Sequence, residues 1–356
     1  MCGTGKIEMK RSKPITKKRR SEARYEMSLN KAVLAPLFCL SLIFAAHPSF
    51  AQTSLYIGTI LRGTLGWPIL IAMENGLFSQ EGLVTEVLEL RRTSLVAQTL
   101  IAGSTPVAIL GPDAAIMAIE KGANLSIVST VIRTSTSVLV AQPKYRSVKE
   151  LKKVKIGTGG PGGSTTQLEM ILRQEGLRAN EDYSLITLGS TRERFLALRA
   201  GGADAALLSP TASFEAKDLG LTLLAFVADY VKDYAQLASV VNNRIAADNP
   251  IIIMKYLKAM IKASRWLTDQ KNKERAVGIL LKYEKMTPQR GERIYDFMIG
   301  KLGAISKNGE ISPEGIKSVM AVIAPSGLIA TPPQQYTKFI NLKYLELAHK
   351  ELGIRN

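Results

Sequence analysis

The chain has 356 residues, with 47 Lys and Arg against 30 Asp and Glu, but only two Cys and two His. This length exceeds one ordinary hydrophobic core and predicts two domains. Cys2, Cys39 and His47 all precede residue 52, which leaves His349 as the body's only Cys or His side chain. The composition therefore excludes a cysteine nucleophile, a disulfide framework and a Cys/His zinc site from the body.

Residues 1–51 carry the pattern of an exported protein. Lys31 precedes an uncharged apolar run over 32–46, and small residues then follow up to Ala51. We therefore predict a signal peptide that is cleaved near Ala51, and a periplasmic or otherwise extracytoplasmic location. The basic stretch before the apolar run is longer than a signal peptide needs, which is consistent with a start at Met27. Binding of nucleic acid by this stretch is the alternative.

The body contains an internal repeat. Pro112 matches Pro210 and Gly122 matches Gly220, both at an offset of 98 residues. Chance similarity of alanine-rich segments is the alternative, but glycines and prolines are the residues that agree. In each copy short apolar runs alternate with helical patterns, and such βαβ units build parallel sheets with right-handed connections.

The repeat predicts an α/β fold with two lobes, each a mostly parallel sheet flanked by helices. Matching strands are expected over 105–110 and 203–208. The extended stretches 137–142 and Leu237–Asn242 are interpreted as paired crossings between the lobes. Together they would form a two-strand hinge.

The region after Pro250 is predicted to be helical and to pack on the first lobe. Thr287 and Ser312 each offer a helix cap followed by proline, and a last helix is expected over 335–351. The predicted boundaries are 1–51 for the tail and signal peptide, 52–137 plus 240–356 for the first lobe, and 138–239 for the second lobe.

Three short motifs follow one another along the body. Residues 68–78 have the form P-x-x-x-A-x-E-x-G-L-F, and further motifs lie over 147–157 and 200–206. In order and spacing these motifs resemble those of the periplasmic solute-binding proteins of nitrate, sulfonate, taurine and pyrimidine-precursor ABC importers, the SsuA/THI5-like family. Two positions depart from the family pattern: Pro106, where an aspartate is usual, and Lys153, where a glycine is usual.

The resemblance implies a type II periplasmic binding protein fold and a function. Receptors of this family capture a small solute between two lobes by hinge closure and present it to a membrane permease. By this resemblance the chain is a monomeric receptor and not an enzyme, with no cofactor, no metal and no nucleic acid, and with a small-molecule solute and a cognate ABC permease as partners. Two alternatives stay open: an enzyme on the same fold related to thiamine-pyrimidine synthesis, and a sensory receptor without transport.

The repeat also predicts where a solute binds, because ligands of parallel sheets lie beyond the carboxyl ends of the strands. The glycine-rich segment 157–166 leads onto a helix N-terminus, which suits an oxyanion. It contains G-x-G-x-x-G but lacks the acidic residue that a dinucleotide site needs, and a plain turn with a helix cap is the alternative. The candidate ligand-binding residues, taken from corresponding loops of both copies, are Arg62, Trp67, Arg92, Thr93, Asp113, Ser164, Thr165, Ser190, Arg192, Ser209, Thr211 and Tyr230.

The candidate residues have distinct expected roles. Arginine forks can clamp a sulfonate or carboxylate while hydroxyls supply further donors, although each arginine could equally be a solvated surface charge. Trp67 and Tyr230 are expected either to wall the pocket or to pack in a core. Asp113 could bind an amino group of the solute or cap the following helix, and we favour the cap. Because these loops have more arginines than acids, we expect a small anionic organic solute: a sulfonate, a carboxylate or a pyrimidine-like compound.

Overall fold

A computed structural model describes residues 53–59, 63–90, 93–160, 163–327, 329 and 335–355. The predicted signal peptide and its cleavage near Ala51 lie outside these residues, as do the candidate ligand-binding residues Arg62 and Arg92. No helix in the described ranges is long and apolar enough to cross a membrane.

The described residues form strands and helices in alternation, followed by helices alone. The strands are β1 (Thr53–Thr59), β2 (Leu83–Glu89), β3 (Val107–Leu110), β4 (Leu125–Ile132), β5 (Val138–Ala141), β6 (Val154–Thr158), β7 (Tyr183–Thr187), β8 (Ala205–Leu208), β9 (Thr222–Phe226) and β10 (Leu237–Asn242). The α-helices are α1 (Trp67–Glu74), α2 (Leu77–Gln80), α3 (Thr93–Ile101), α4 (Pro112–Glu120), α5 (Ser164–Gln174), α6 (Thr191–Arg199), α7 (Pro210–Asp218), α8 (Val227–Tyr230), α9 (Asn243–Asp248), α10 (Pro250–Thr268), α11 (Lys273–Tyr283), α12 (Pro288–Tyr295), α13 (Pro313–Ile323) and α14 (Lys343–Glu351).

The strands of the described residues form two five-stranded sheets of the same topology. The first sheet has the order β2-β1-β3-β10-β4 and the second has the order β7-β6-β8-β5-β9. In the first sheet β1 runs parallel to β2 and β3, whereas β10 is antiparallel to both of its neighbours. In the second sheet β6 is parallel to β7 and β8, and β5 is the antiparallel strand. The two-lobed α/β architecture is confirmed, and we call the parts around these sheets the first and second lobes.

The internal repeat is visible in the bounds of the elements. Helix α3 and helix α6 have the same length and are offset by 98 residues, and the same holds for α4 and α7. Gly76 and Gly176 follow helices α1 and α5 in left-handed conformations, with φ of 61° and 81°, as helix-ending glycines do. The lobe boundaries 52–137 plus 240–356 and 138–239 stay a prediction.

The two extended stretches that were expected to cross between lobes lie inside the sheets. Every residue of β5 is buried, and β10 is buried from Ala238 onward. Strand β5 lies between β8 and β9, and β10 lies between β3 and β4, so each is an internal strand of the sheet that it enters. The chain passes from the first sheet to the second over 133–137 and returns over 231–236.

The C-terminal helices contact both lobes, and not the first lobe alone. Helix α10 packs on α1, α2 and α14, but α12 contacts α7 of the second lobe, and α13 contacts both α4 and α5. Thr287 and Ser312 cap α12 and α13 as predicted, each accepting a backbone hydrogen bond. The last helix is shorter than expected because Tyr336–Phe339 forms a 3-10 turn and Ile340 then bridges to Ile127.

Helix α7 of the second lobe is held to the C-terminal helices by charge and by aromatic packing. Asp218 accepts hydrogen bonds from Nε of Arg290 at 2.8 Å and from Nη2 of Arg293 at 2.6 Å and 2.8 Å. The ring of Phe214 meets Phe297 edge-on at 5.6 Å. Burial alone would raise the pKa of Asp218, but the hydrogen bonds from the two arginines outweigh it and hold this pKa below its usual range.

We expect Asp218→Asn to lower the free energy of unfolding by up to about 1 kcal/mol at pH 7, because the pairs are partly exposed. The lowered folded-state pKa means that this stabilisation is present above the unfolded-state pKa of about 3.9 and is lost as pH falls through the folded-state pKa. Urea unfolding should therefore show a wild-type-minus-variant difference that shrinks below about pH 4. The exposed Asp248→Asn is the control, and equal losses for both variants at pH 7 would contradict this role.

Candidate functional site

Loops at the carboxyl ends of the two sheets lie against each other. The backbone N–H of Gly163, which precedes α5 in the second lobe, donates to Oδ2 of Asp113 in the first lobe at 2.9 Å. A Cβ added to Gly63 of the first lobe would lie 3.5 Å from Oγ1 of Thr211 in the second lobe. These loops follow β6, β3, β1 and β8, and the carboxyl ends of parallel strands are where such sheets bind ligands. The carboxyl edges of the two sheets therefore face each other.

Asp113 links the lobes, and it is not the N-cap of α4. The N-cap is Gly111, and Asp113 is the second residue of the helix. Its carboxylate takes hydrogen bonds from the backbone N–H of Ala114 in its own helix and from Gly163 across the edge. Burial raises the pKa of the Asp113 carboxyl, and these N–H donors offset only part of the rise. The side chain thus combines the local helix contact that we expected with a contact between lobes.

The two connections between the lobes are tied to helix α5. Oε1 of Gln167, which is in α5, accepts a hydrogen bond from Oγ of Ser135 in the first connection at 3.0 Å. The buried Tyr234 of the second connection also hydrogen-bonds Gln167, and burial raises the pKa of its phenol strongly. Hydrogen bonds therefore join both connections to the helix whose N-terminus lies at the facing edges.

Arg194 is a candidate functional residue that the sequence reasoning missed. Its side chain is only 7 % exposed, and its Nη1 donates to Oγ of Ser164 at 2.6 Å. Nε of Arg194 has no hydrogen-bond partner in the part of the chain that the structure describes. Burial lowers the pKa of this guanidinium to about 10, so it stays protonated at neutral pH. A buried positive charge therefore lies beside the first residue of α5.

A signal for Arg194 was present in the sequence. Ser190 and Glu193 form a capping box at the start of α6, which fixes the helix phase. In that phase Arg194 falls on the buried face together with Phe195 and Leu198, whereas Arg192 points outward. Helical periodicity therefore favours Arg194 as the buried arginine. We had predicted Arg192 instead, because it follows a strand in a polar segment.

Four of the predicted residues lie at the facing edges. Ser164 accepts the hydrogen bond from Arg194, and Oγ1 of Thr165 donates to the carbonyl oxygen of Gly160 at 2.5 Å. Thr211 lies against Gly63 with its hydroxyl buried and without a partner in the described residues. Asp113 is the fourth. Thr165 holds the glycine-rich turn, so its hydroxyl has the structural role that we had kept as an alternative.

The two aromatic candidates are placed away from these edges. Trp67 is fully buried in the core of the first lobe, where its Nε1 donates to the carbonyl oxygen of Ala276 at 3.0 Å. The hydroxyl of Tyr230 donates to Oε1 of Glu175 at 2.7 Å, and burial and this carboxylate raise its pKa to about 12. Glu175 caps the carboxyl end of the 11-residue α5. That end lies about 16 Å from Ser164 along the helix axis.

The remaining candidates start helices. Arg192 is exposed and pairs with Glu215 at 3.5 Å, which makes it a surface charge. Ser190 is an exposed helix cap that accepts a hydrogen bond from the backbone N–H of Glu193. Ser209 is the half-buried N-cap of α7, without a side-chain capping bond, and Thr93 is the half-buried first residue of α3. In the described residues, none of these four side chains forms a hydrogen bond or an ion pair with the side chain of Arg194 or Asp113.

A family model described as NMT1/THI5 like matches residues 66–273. The chain belongs to the NMT1/THI5-like family. The match includes Asp113, Ser164, Arg194 and Thr211, begins just after Gly63 and Thr64, and extends through α10. No curated protein sequence matches the chain significantly.

Solved structures agree with this family in fold. The alkanesulfonate-binding protein SsuA from Xanthomonas axonopodis pv. citri, bound to MOPS, is 17% identical with a TM-score of 0.67, over 80% of this chain and 97% of that one. The aliphatic sulphonate binding protein SsuA from Escherichia coli is 17% identical with a TM-score of 0.65, over 81% and 92%. The nitrate-binding protein NrtA from Synechocystis PCC 6803 is 15% identical with a TM-score of 0.67, over 84% and 89%. This family member therefore has the solute-binding-protein fold of ABC importers.

We expect Asp113→Asn to make the stability of the protein less dependent on pH. Because the folded-state pKa of Asp113 is raised, its carboxyl favours folding when protonated, and this contribution is lost as pH rises from the unfolded-state value towards the folded-state value. The free energy of unfolding of the variant minus that of the wild type should therefore increase with pH above about 4. Urea titrations at several pH values measure this difference, with the exposed Asp229→Asn as control. A difference that is constant with pH would refute it.

Proposed function

We propose that the protein is an extracytoplasmic receptor of an ABC importer that encloses a small anionic organic solute between its two lobes. The observation that carries this proposal concerns three of the seven buried side-chain polar atoms that have no protein partner among the described residues. These three are Thr64 Oγ1 in the first lobe and Thr211 Oγ1 and Arg194 Nε in the second, and each belongs to a segment that follows the carboxyl end of a strand. Folded proteins seldom leave buried polar atoms unpaired, so such a set at facing edges favours a bound ligand.

Closure of the lobes supplies the mechanism. A solute can stabilise the closed form only through its differential affinity for that form, so its contacts have to come from both lobes. The loops around Gly63 and Thr211, and around Asp113 and Gly163, bring groups of both lobes within contact. The two short connections would act as the hinge that permits opening.

An anionic solute is favoured by charge and by the relatives. The protonated guanidinium of Arg194 is buried at this edge. The names of the similar structures include alkanesulfonate, aliphatic sulphonate and nitrate, all of which are anions. A sulfonate or a carboxylate thus fits better than a neutral pyrimidine-like compound.

The remaining parts of the proposal follow from the family. The protein would act as a monomer without a cofactor, in the periplasm or outside the cytoplasm after cleavage near Ala51, and would deliver its solute to a cognate membrane permease. An enzymatic role is disfavoured because His349, the body's only histidine, is 5% exposed and has its Nε2 2.8 Å from the carbonyl oxygen of Asn308. That histidine is part of the packing of α14.

We expect the purified protein to release a small organic acid on denaturation, detected by mass spectrometry. At about a hundred times its dissociation constant, this compound should raise the free energy of unfolding by about 2.7 kcal/mol. Ser164→Ala should reduce that gain by about 1 kcal/mol because it removes one hydroxyl at the facing edges.

Ser190→Ala is the matched control. Its serine also lies at the start of a helix, and its loss should cost about 1 kcal/mol of stability through the cap while leaving the gain from the solute unchanged. Protein that releases no solute, and that no sulfonate or carboxylate stabilises, would argue against the receptor function.

A further inference from the structure

The second lobe buries a positive charge without a counter-charge. Arg194 is 7 % exposed, and no ion pair joins it to a carboxylate in the described residues, although Arg192 two positions earlier pairs with Glu215. Of its guanidinium atoms, Nη1 donates to the neutral hydroxyl of Ser164, and Nε donates to nothing in these residues. Removal of a charge from water is costly unless a partner compensates it. Folding alone does not account for an arginine at this position.

The internal repeat supplies a direct comparison. Helices α3 and α6 have equal length at an offset of 98 residues, so Arg194 of the second lobe corresponds to Val96 of the first. Val96 is fully buried in an apolar core. The fold is therefore built to accept an apolar side chain at this position, and the second lobe has a cation there instead.

Arg194 lies beside the N-terminus of a helix. Ser164 begins α5, an 11-residue helix whose first N–H groups have no acceptor within the helix and whose N-terminus carries partial positive charge. Gly159 also lies next to Arg194, since a Cβ there would be 3.4 Å from Nη1 of Arg194 and 3.2 Å from the carbonyl oxygen of Gly189. Asp113 of the first lobe accepts the N–H of Gly163, the residue that precedes this helix.

We propose that Arg194, Ser164 and the N-terminus of α5 form an oxyanion site that binds the carboxylate or sulfonate group of the solute. This assignment rests on the proposed receptor function and deepens it, because it names the residue that recognises the charged group. One guanidinium with neutral donors matches a single negative charge, so monoanions are preferred over phosphate dianions. The fork geometry of arginine explains why a lysine would not serve equally.

The first test is the stability of the protein without ligand. Arg194→Met removes a buried charge and keeps an apolar side chain of similar length, so the melting temperature should stay the same or rise. If Arg194 served only to hold Ser164 and its turn in place, its replacement by methionine would destabilise them and lower the melting temperature. A fall in melting temperature of several degrees, compared with Arg192→Met on the exposed face of the same helix, would overturn the assignment.

The second test observes the site itself. The nitrogen-15 and proton signals of the Nε–H of Arg194, identified by their absence in Arg194→Met, should shift on titration with sodium methanesulfonate or sodium acetate. The uncharged dimethyl sulfone and acetamide should leave them unchanged. Arg194→Met should bind the effective anion at least about tenfold more weakly, Arg194→Lys should recover only part of the affinity, and Arg192→Met should bind like wild type.

The results of these tests distinguish a failure of the oxyanion site from a failure of the receptor function. If the Nε–H signals respond to neither anion, or respond equally to the uncharged compounds, the oxyanion site is refuted. The receptor function would still stand if a solute is released from the wild type on denaturation. If Arg194→Met releases as much of that solute as the wild type does, only the role of Arg194 is refuted.

Discussion

The structure depends on the exchange of one strand between two copies of the same sheet. Strand β5 leaves the first lobe and pairs on both sides inside the second sheet, and β10 returns to pair on both sides inside the first. Both strands are buried and apolar, so neither can leave its sheet without the loss of two ladders and much of a core. The carboxyl edges of the two lobes meet, and the chain passes between the two sheets through the short connections 133–137 and 231–236.

The two copies of the repeat share the local fold of helices α3 and α6 but differ at one of their buried positions. Helices α3 and α6 have the same bounds relative to their copies, which indicates that the local fold is set by the shared pattern of strands, glycines and prolines. At one position of this helix the first copy buries Val96 and the second buries Arg194. The second copy alone therefore carries the desolvation cost of a buried charge at this position, which supports the proposal that an anionic ligand compensates it.

A second pair of equivalent positions explains the contact of the C-terminal helices with both lobes. Glu120 ends α4 and pairs with Lys338 at 3.0 Å, and Asp218 ends α7 and pairs with Arg290 and Arg293. Each copy thus presents an acid at the end of the same helix, and a basic residue from the C-terminal region meets it. Asp218 of the second copy lies on the side of α7 that faces α12. The C-terminal region therefore contacts both copies.

Local sequence patterns were enough to predict the repeat, the order of strands and helices, the glycine and proline positions that end or begin helices, and the family. These features depend on residues close together in the chain, whose periodicity and backbone preferences are local. Which polar side chains meet became known from the folded structure, because it depends on residues that are far apart in the chain. Ser164 and Ser190 both start a helix, yet one accepts a hydrogen bond from Arg194 and the other caps its own turn. Trp67 became core and not pocket, because its partner Ala276 lies more than two hundred residues away in the chain, a separation that no local pattern encodes.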